Sequence, residues 1–174
     1  MSEKLYAVLV GGWHPRSNIE LHDLRFVIAA SIWDTVPQLK ASWWGTPETL
    51  HIDAYCELAG LDGYRIELSN TPQADGPKLY FINVGYYLPE SFAEHHAYHF
   101  MIGDTKLGVW KRALKAVEEG SFSKHKDSFA EVDDIIDVGA NLFSQGRHIH
   151  LIKDESFDAV KPDIVAEYMP FSKR

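Results

Sequence analysis

The chain has 174 residues, enough for one ordinary domain or two small ones with a real core. Its 45% hydrophobic, 24% charged and 13% aromatic content excludes a disordered chain, which needs low hydrophobicity and high net charge. Seventeen basic against 25 acidic side chains give a formal charge of -8 and a pI near 5.5; with no Lys/Arg stripe to offset that field, nucleic acid is not an expected partner.

The first predicted strand is "LYAVLV" from Leu5, β-branched and aromatic, ending at Gly11-Gly12. A second follows from His22, with His22, Leu24, Phe26 and Ile28 sharing one face by period two, which reads as a core face. Ser31 is placed to cap a helix with apolar positions Ile32, Val36, Leu39 and Trp43, its start disturbed by Pro37. "LHIDAYCEL" and "YRIEL" then read as two strands around a Leu-Asp-Gly turn.

From Lys78 the same pattern returns. Lys4 to Ile28 and Lys78 to Ile102 agree at 11 of 25 positions, where average composition gives roughly one or two. "HIDAYCEL" is answered by "EVDDIIDV" from Glu131, and "GYRIEL" by "GRHIHL" from Gly146. The offset grows from 74 to 80 to 83, which places insertions after the second helix and in the last loop. The second copy offers Thr105 as cap and Leu107, Trp110, Leu114 and Val117 as the apolar helix face. The expected fold is therefore α+β: tandem duplicated ββαββ units with pseudo-twofold symmetry and mainly antiparallel sheets. The first repeat spans 1–69, a turn-rich linker 70–77, the second repeat 78–152, and a C-terminal tail or edge strand 153–174.

"LVGGWHPRSNIELHD", "HIDAY" and "DGYRIEL" in the first copy resemble the bacterial family DUF1543, a domain of unknown function, as do "FINVGYYLPESFAEHH" and "EVDDIIDV" in the second. The resemblance covers nearly the whole chain outside the tail, and it implies an architecture of one or two copies per chain. It implies no activity.

Chemistry-bearing positions recur with the repeat. Glu20-x-His22 and Glu94-x-His96, with His95 and His99 nearby, form a donor set for Zn or another divalent ion if they gather. The favoured reading is structural, each His donating to its carboxylate at the end of a core face. Asp53 and Asp133 recur inside apolar strands, as general bases if buried or as solvent-facing residues. Trp13 and His14 of the "GGWHP" turn, with Tyr86 and Tyr87 in the second copy, are candidates to contact a small ligand or a partner. No Gly-x-Ser-x-Gly or His-Glu-x-x-His is present, so acyl-transfer and zincin signatures are lacking.

Cys56 is the only cysteine, which points to a reducing, cytoplasmic setting, and no apolar run approaches the roughly 18 residues of a membrane span. The expected function is thus a non-catalytic cytoplasmic module that binds a protein partner or small ligand and self-associates, with no cofactor, no nucleic acid and no membrane. The alternative is a metal-dependent hydrolase using Glu20, His22, Glu94, His95 and His96.

Overall fold

The structure is a computed structural model and describes residues 2–119, 130–142 and 146–171. It is a mixed α+β protein with mostly antiparallel sheets. The chain divides into two compact units, Met1–Gln73 with Leu142–Arg174, and Ala74–Asn141.

In the first unit, β1 (Lys4–Gly12) lies between β2 (Leu21–Ala29) and β3 (His51–Glu57), and β10 (Ile164–Pro170) covers the outer edge of β3. All three pairings are antiparallel. One side of this sheet carries Tyr6, Val8, Val10, Val27 and Ile52, packed under Ile32, Leu39 and Trp43 from α1 (Val36–Ser42) and its flanking turns. Leu5, Ala7, Phe26 and Ile28 on the other side are buried too, so the strands read as nearly continuous apolar runs. The expected core face of β2 thus holds for Phe26 and Ile28, whereas His22, at the strand's beginning, has a half-exposed side chain. A three-stranded sheet completes the unit: β4 (Gly60–Leu61) pairs with β5 (Tyr64–Ser69), and β5 with β9 (His148–Lys153). Asp62 and Gly63, with φ of 51° and 77°, form the β4–β5 turn, the positive-φ pair that a tight hairpin of right-twisted strands favours.

The second unit repeats the order on its own: β6 (Lys78–Tyr86) lies between β7 (His95–Gly103) and β8 (Ala130–Asp137), with α2 (Lys106–Glu118) packed on one face. Thr105 caps α2 by accepting from the Gly108 amide at 3.0 Å. Ser31 makes no such bond; its hydroxyl donates to Asp34, and a short 3-10 turn over Ile32–Thr35 precedes α1. The predicted apolar face of α2 requires correction. Leu107 and Trp110 are exposed, and the buried side chains are Val109 and Ala113, with Val117 beside them. Small residues one turn apart bring the helix close to the sheet, and the bulkier Trp110 would hold it away.

Compact units and sequence repeats do not share boundaries. β9, the last strand of the second repeat, pairs with β5, the last strand of the first, and the tail strand β10 is part of the first unit's sheet. The two insertions inferred from the changing offset fall on residues 120–129 and 143–145, outside the described residues.

Candidate functional site

Both central strands carry the same irregularity. Leu9 opposes Ala54 and Val10 opposes Ile52, which leaves Asp53 as an extra residue of β3. In the second unit Asn83 opposes Asp134 and Val84 opposes Val132, which leaves Asp133 over in β8. Such bulges re-aim a side chain. Here each bulge turns an aspartate toward a glycine of the central strand. A Cβ on Gly11 would stand 2.5 Å from His51 Nε2 and 2.6 Å from Asp53 Oδ2; one on Gly85 would stand 2.5 Å from Asp133 Oδ2 and 2.8 Å from Glu94 Oε1. The glycines are required by close approach, since any side chain there occupies the space the acidic groups use.

Four side chains meet in the first unit. His51 Nε2 lies 3.3 Å from Glu20 Oε1 and 3.3 Å from Asp53 Oδ1; His22 Nε2 lies 3.3 Å from Asp53 Oδ2 and 3.8 Å from Glu20 Oε2. His22 therefore stands closer to Asp53 than to the Glu20 expected as its partner. His51 is only 3% exposed, and the ring of Tyr168 from β10 packs on it at 4.6 Å between centroids. Its Nδ1 is 2.9 Å from the Thr49 carbonyl. A carbonyl only accepts, so Nδ1 carries a hydrogen and Nε2 is the nitrogen turned toward the carboxylates. That Nε2 and Asp53 Oδ2 are buried without a hydrogen-bond partner.

The second unit's cluster differs in its chemistry. His96 Nδ1 is 3.3 Å from Asp133 Oδ2 and 3.2 Å from Asn83 Oδ1, and the Asn83 amide donates to Asp133 Oδ2 at 3.4 Å. The carboxamide thus serves both partners, where the first unit has Leu9 at the corresponding place. Glu131, exposed, stands where the first copy has buried His51. Glu94 engages Tyr87, and its negative charge pushes the phenol above its ordinary pKa.

The two Glu-x-His pairs belong to different units, and each finds its neighbours within its own. His95 points elsewhere: it stacks with Tyr86 at 5.6 Å and sits 2.7 Å from the Ser91 hydroxyl. That hydroxyl gives its single proton to the Ala93 carbonyl at 3.0 Å, so the imidazole is the donor to Ser91 and activates no nucleophile. Trp13 and His14 lie on the loop after β1. The Trp13 amide donates to Thr49 Oγ1, and His14 Nδ1 accepts from the Arg16 amide in an open groove shared with Ile19, Leu21 and Trp44. Cys56 is buried, and burial pushes its thiol up to about 11. Among the described residues no group of three or more His, Cys, Asp or Glu is placed so that it could hold a metal ion as it stands. No described helix is long and apolar enough to cross a membrane.

Sequence reasoning singled out Glu20, His22 and Asp53 and missed His51. The signal was available: His51-x-Asp53 has the spacing of Glu20-x-His22, and both stretches flank the strand that ends in Gly11-Gly12.

Residues 17–68 match the family described as Domain of Unknown Function (DUF1543). Glu20, His22, His51 and Asp53 all fall inside the match. The chain is also similar to a protein Il1583 from Idiomarina loihiensis, whose crystal structure superposes with a TM-score of 0.66 at 27% identity, covering 99% of this chain and 100% of that one. None of the curated proteins matches.

Proposed function

We propose that the chain is a non-catalytic, duplicated module that binds a cation at the histidine–carboxylate cluster of its first unit. The observation that carries this reading is the convergence of Glu20 and His22 from the start of β2 with His51 and Asp53 from β3, to separations of 3.3–3.8 Å beside Gly11 of β1. Two carboxylates and two imidazoles in that space attract positive charge, and the net charge of -8 favours its approach. The recurrence of Gly, bulged Asp and Glu-x-His at corresponding positions of the second unit supports duplication of the framework on which the cluster is built. A non-catalytic role is supported by Cys56, which burial holds as a thiol. A lone buried thiol suits the cytoplasm. Self-association as a dimer belongs to the same reading, with β7, which pairs only with β6 among the described strands, as one open edge.

Equilibrium dialysis of tag-free protein against Mg²⁺, Ca²⁺, Mn²⁺, Co²⁺ and Zn²⁺, with metal content measured afterwards, tests the reading. At least one ion should be retained stoichiometrically and lost in the Glu20→Gln, Asp53→Asn double variant. Retention of none at micromolar protein refutes it.

A further inference from the structure

We infer that the cluster of the first unit is a site for a divalent transition metal of the zinc class, held through Nε2 of His51 and His22 and the carboxylates of Asp53 and Glu20. The inference rests on the cation-binding reading above and names its ligand. His51 Nε2 stands 3.3 Å from Glu20 Oε1 and 3.3 Å from Asp53 Oδ1, in hydrogen-bond geometry with neither. Two carboxylate oxygens beside one buried nitrogen without a partner make a place for a positive species.

Three features select a metal ion. First, the Nδ1–H bond to the Thr49 carbonyl fixes the tautomer and ring orientation, the usual outer support of a ligating histidine. Second, bonds of about 2.0–2.2 Å in a tetrahedral centre set neighbouring donors roughly 3.3–3.5 Å apart, which is the separation of His51 Nε2 from one oxygen of Glu20 and from one of Asp53. Closure requires the two carboxylates to turn; His51, packed beneath Tyr168, stays in place. Third, two imidazole nitrogens favour zinc and its neighbours over Ca²⁺ and Mg²⁺, which prefer all-oxygen shells. The second unit makes the contrast. Asn83 bridges His96 and Asp133, so its polar atoms are served from within, and Glu131 stands in place of the buried imidazole. The site preference therefore belongs to the first unit.

The experiment uses the full, tag-free chain and Zn²⁺ and Co²⁺ as probes. One equivalent should bind with Mg²⁺ and Ca²⁺ in hundredfold excess, and Co²⁺ should give the intense visible bands of four-coordinate geometry. His51→Gln should weaken Zn²⁺ binding roughly 100-fold or more, and His96→Asn should leave it unchanged. Because His51 is buried, His22→Asn at a half-exposed position provides a second variant that leaves the core intact, and it too should weaken binding. Zn²⁺ affinity unchanged in His22→Asn and His51→Gln overturns the inference, as does equal retention of Ca²⁺ or Mg²⁺ by the wild type; both leave cation binding itself standing. Retention of no divalent ion at all removes both readings together.

Discussion

Replacing Gly11 by alanine sets a single methyl group against the cluster, and its effect follows from the distances. The new Cβ would lie 2.5 Å from His51 Nε2, 2.6 Å from Asp53 Oδ2 and 3.1 Å from His51 Cε1. Ordinary contact begins at about 3.5 Å, so the imidazole must retreat by roughly 1 Å. It has little room: it is 3% exposed, tied to Thr49 and covered by Tyr168. Overpacking of this kind costs about 1–3 kcal/mol, and the removal of a strand glycine returns about 0.5–1 kcal/mol of backbone entropy. The net expectation is a loss of about 1–2 kcal/mol, or a fall in Tm of roughly 2–8 °C. Gly85→Ala is the control. Its Cβ meets the ends of two carboxylates, Asp133 and Glu94, which can swing aside, so stability should change by less than about 0.5 kcal/mol. Thermal and urea unfolding followed by circular dichroism measure both. Equal effects at Gly11 and Gly85, or a rise in Tm for Gly11→Ala, would refute the packing argument around His51.

Thr105→Ala removes the cap of α2 and should cost about 1 kcal/mol, whereas Ser31→Ala, which removes no cap bond, should cost a few tenths; urea midpoints compare them. The Cys56 thiol should resist an aromatic disulfide reagent at pH 8 until the chain is unfolded. Its folded pKa, about 11, lies above its unfolded value near 9, so its contribution is complete below pH 9 and is lost as pH rises toward 11; Cys56→Ala should flatten that part of the stability profile. Truncation before Asp163 removes β10 with buried Met169, worth about 1.5–3 kcal/mol by itself, and bares the edge of β3; sedimentation should then show concentration-dependent association into species larger than those of the full chain at the same concentration.

Local chemistry made much of this fold readable. β1 and β6 announce themselves by β-branched and aromatic runs that stop at glycine, and Asp62-Gly63 names its own turn. Thr105 was visible as a cap because Thr before a helical pattern has few other uses. Long-range facts left weaker traces. Nothing local to Tyr64–Ser69 says that it pairs with His148–Lys153 rather than with β3, and β3 offers its free edge to a strand more than a hundred residues downstream. The bulge that turns Asp53 over Gly11 is a one-residue mismatch between strands, and period-two reasoning cannot see a mismatch without knowing the register. The helix face of α2 failed because hydrophobicity favoured Leu107 and Trp110, where close packing favoured Val109 and Ala113.

The pairing of β5 with β9, and of β3 with β10, has a consequence for the order of events during synthesis. The second unit, residues 74–141, is continuous in sequence, with β7 and β8 both pairing to β6, so those pairings are available as soon as it leaves the ribosome. The first unit is made earlier yet must wait. Its sheets remain short of two strands until residues 148–170 have been translated, and until then the edges of β3 and β5 stand open to solvent and to other nascent chains. The part of the protein that begins first is thus sealed last, and a chain released early would carry a closed second unit on an unfinished first one.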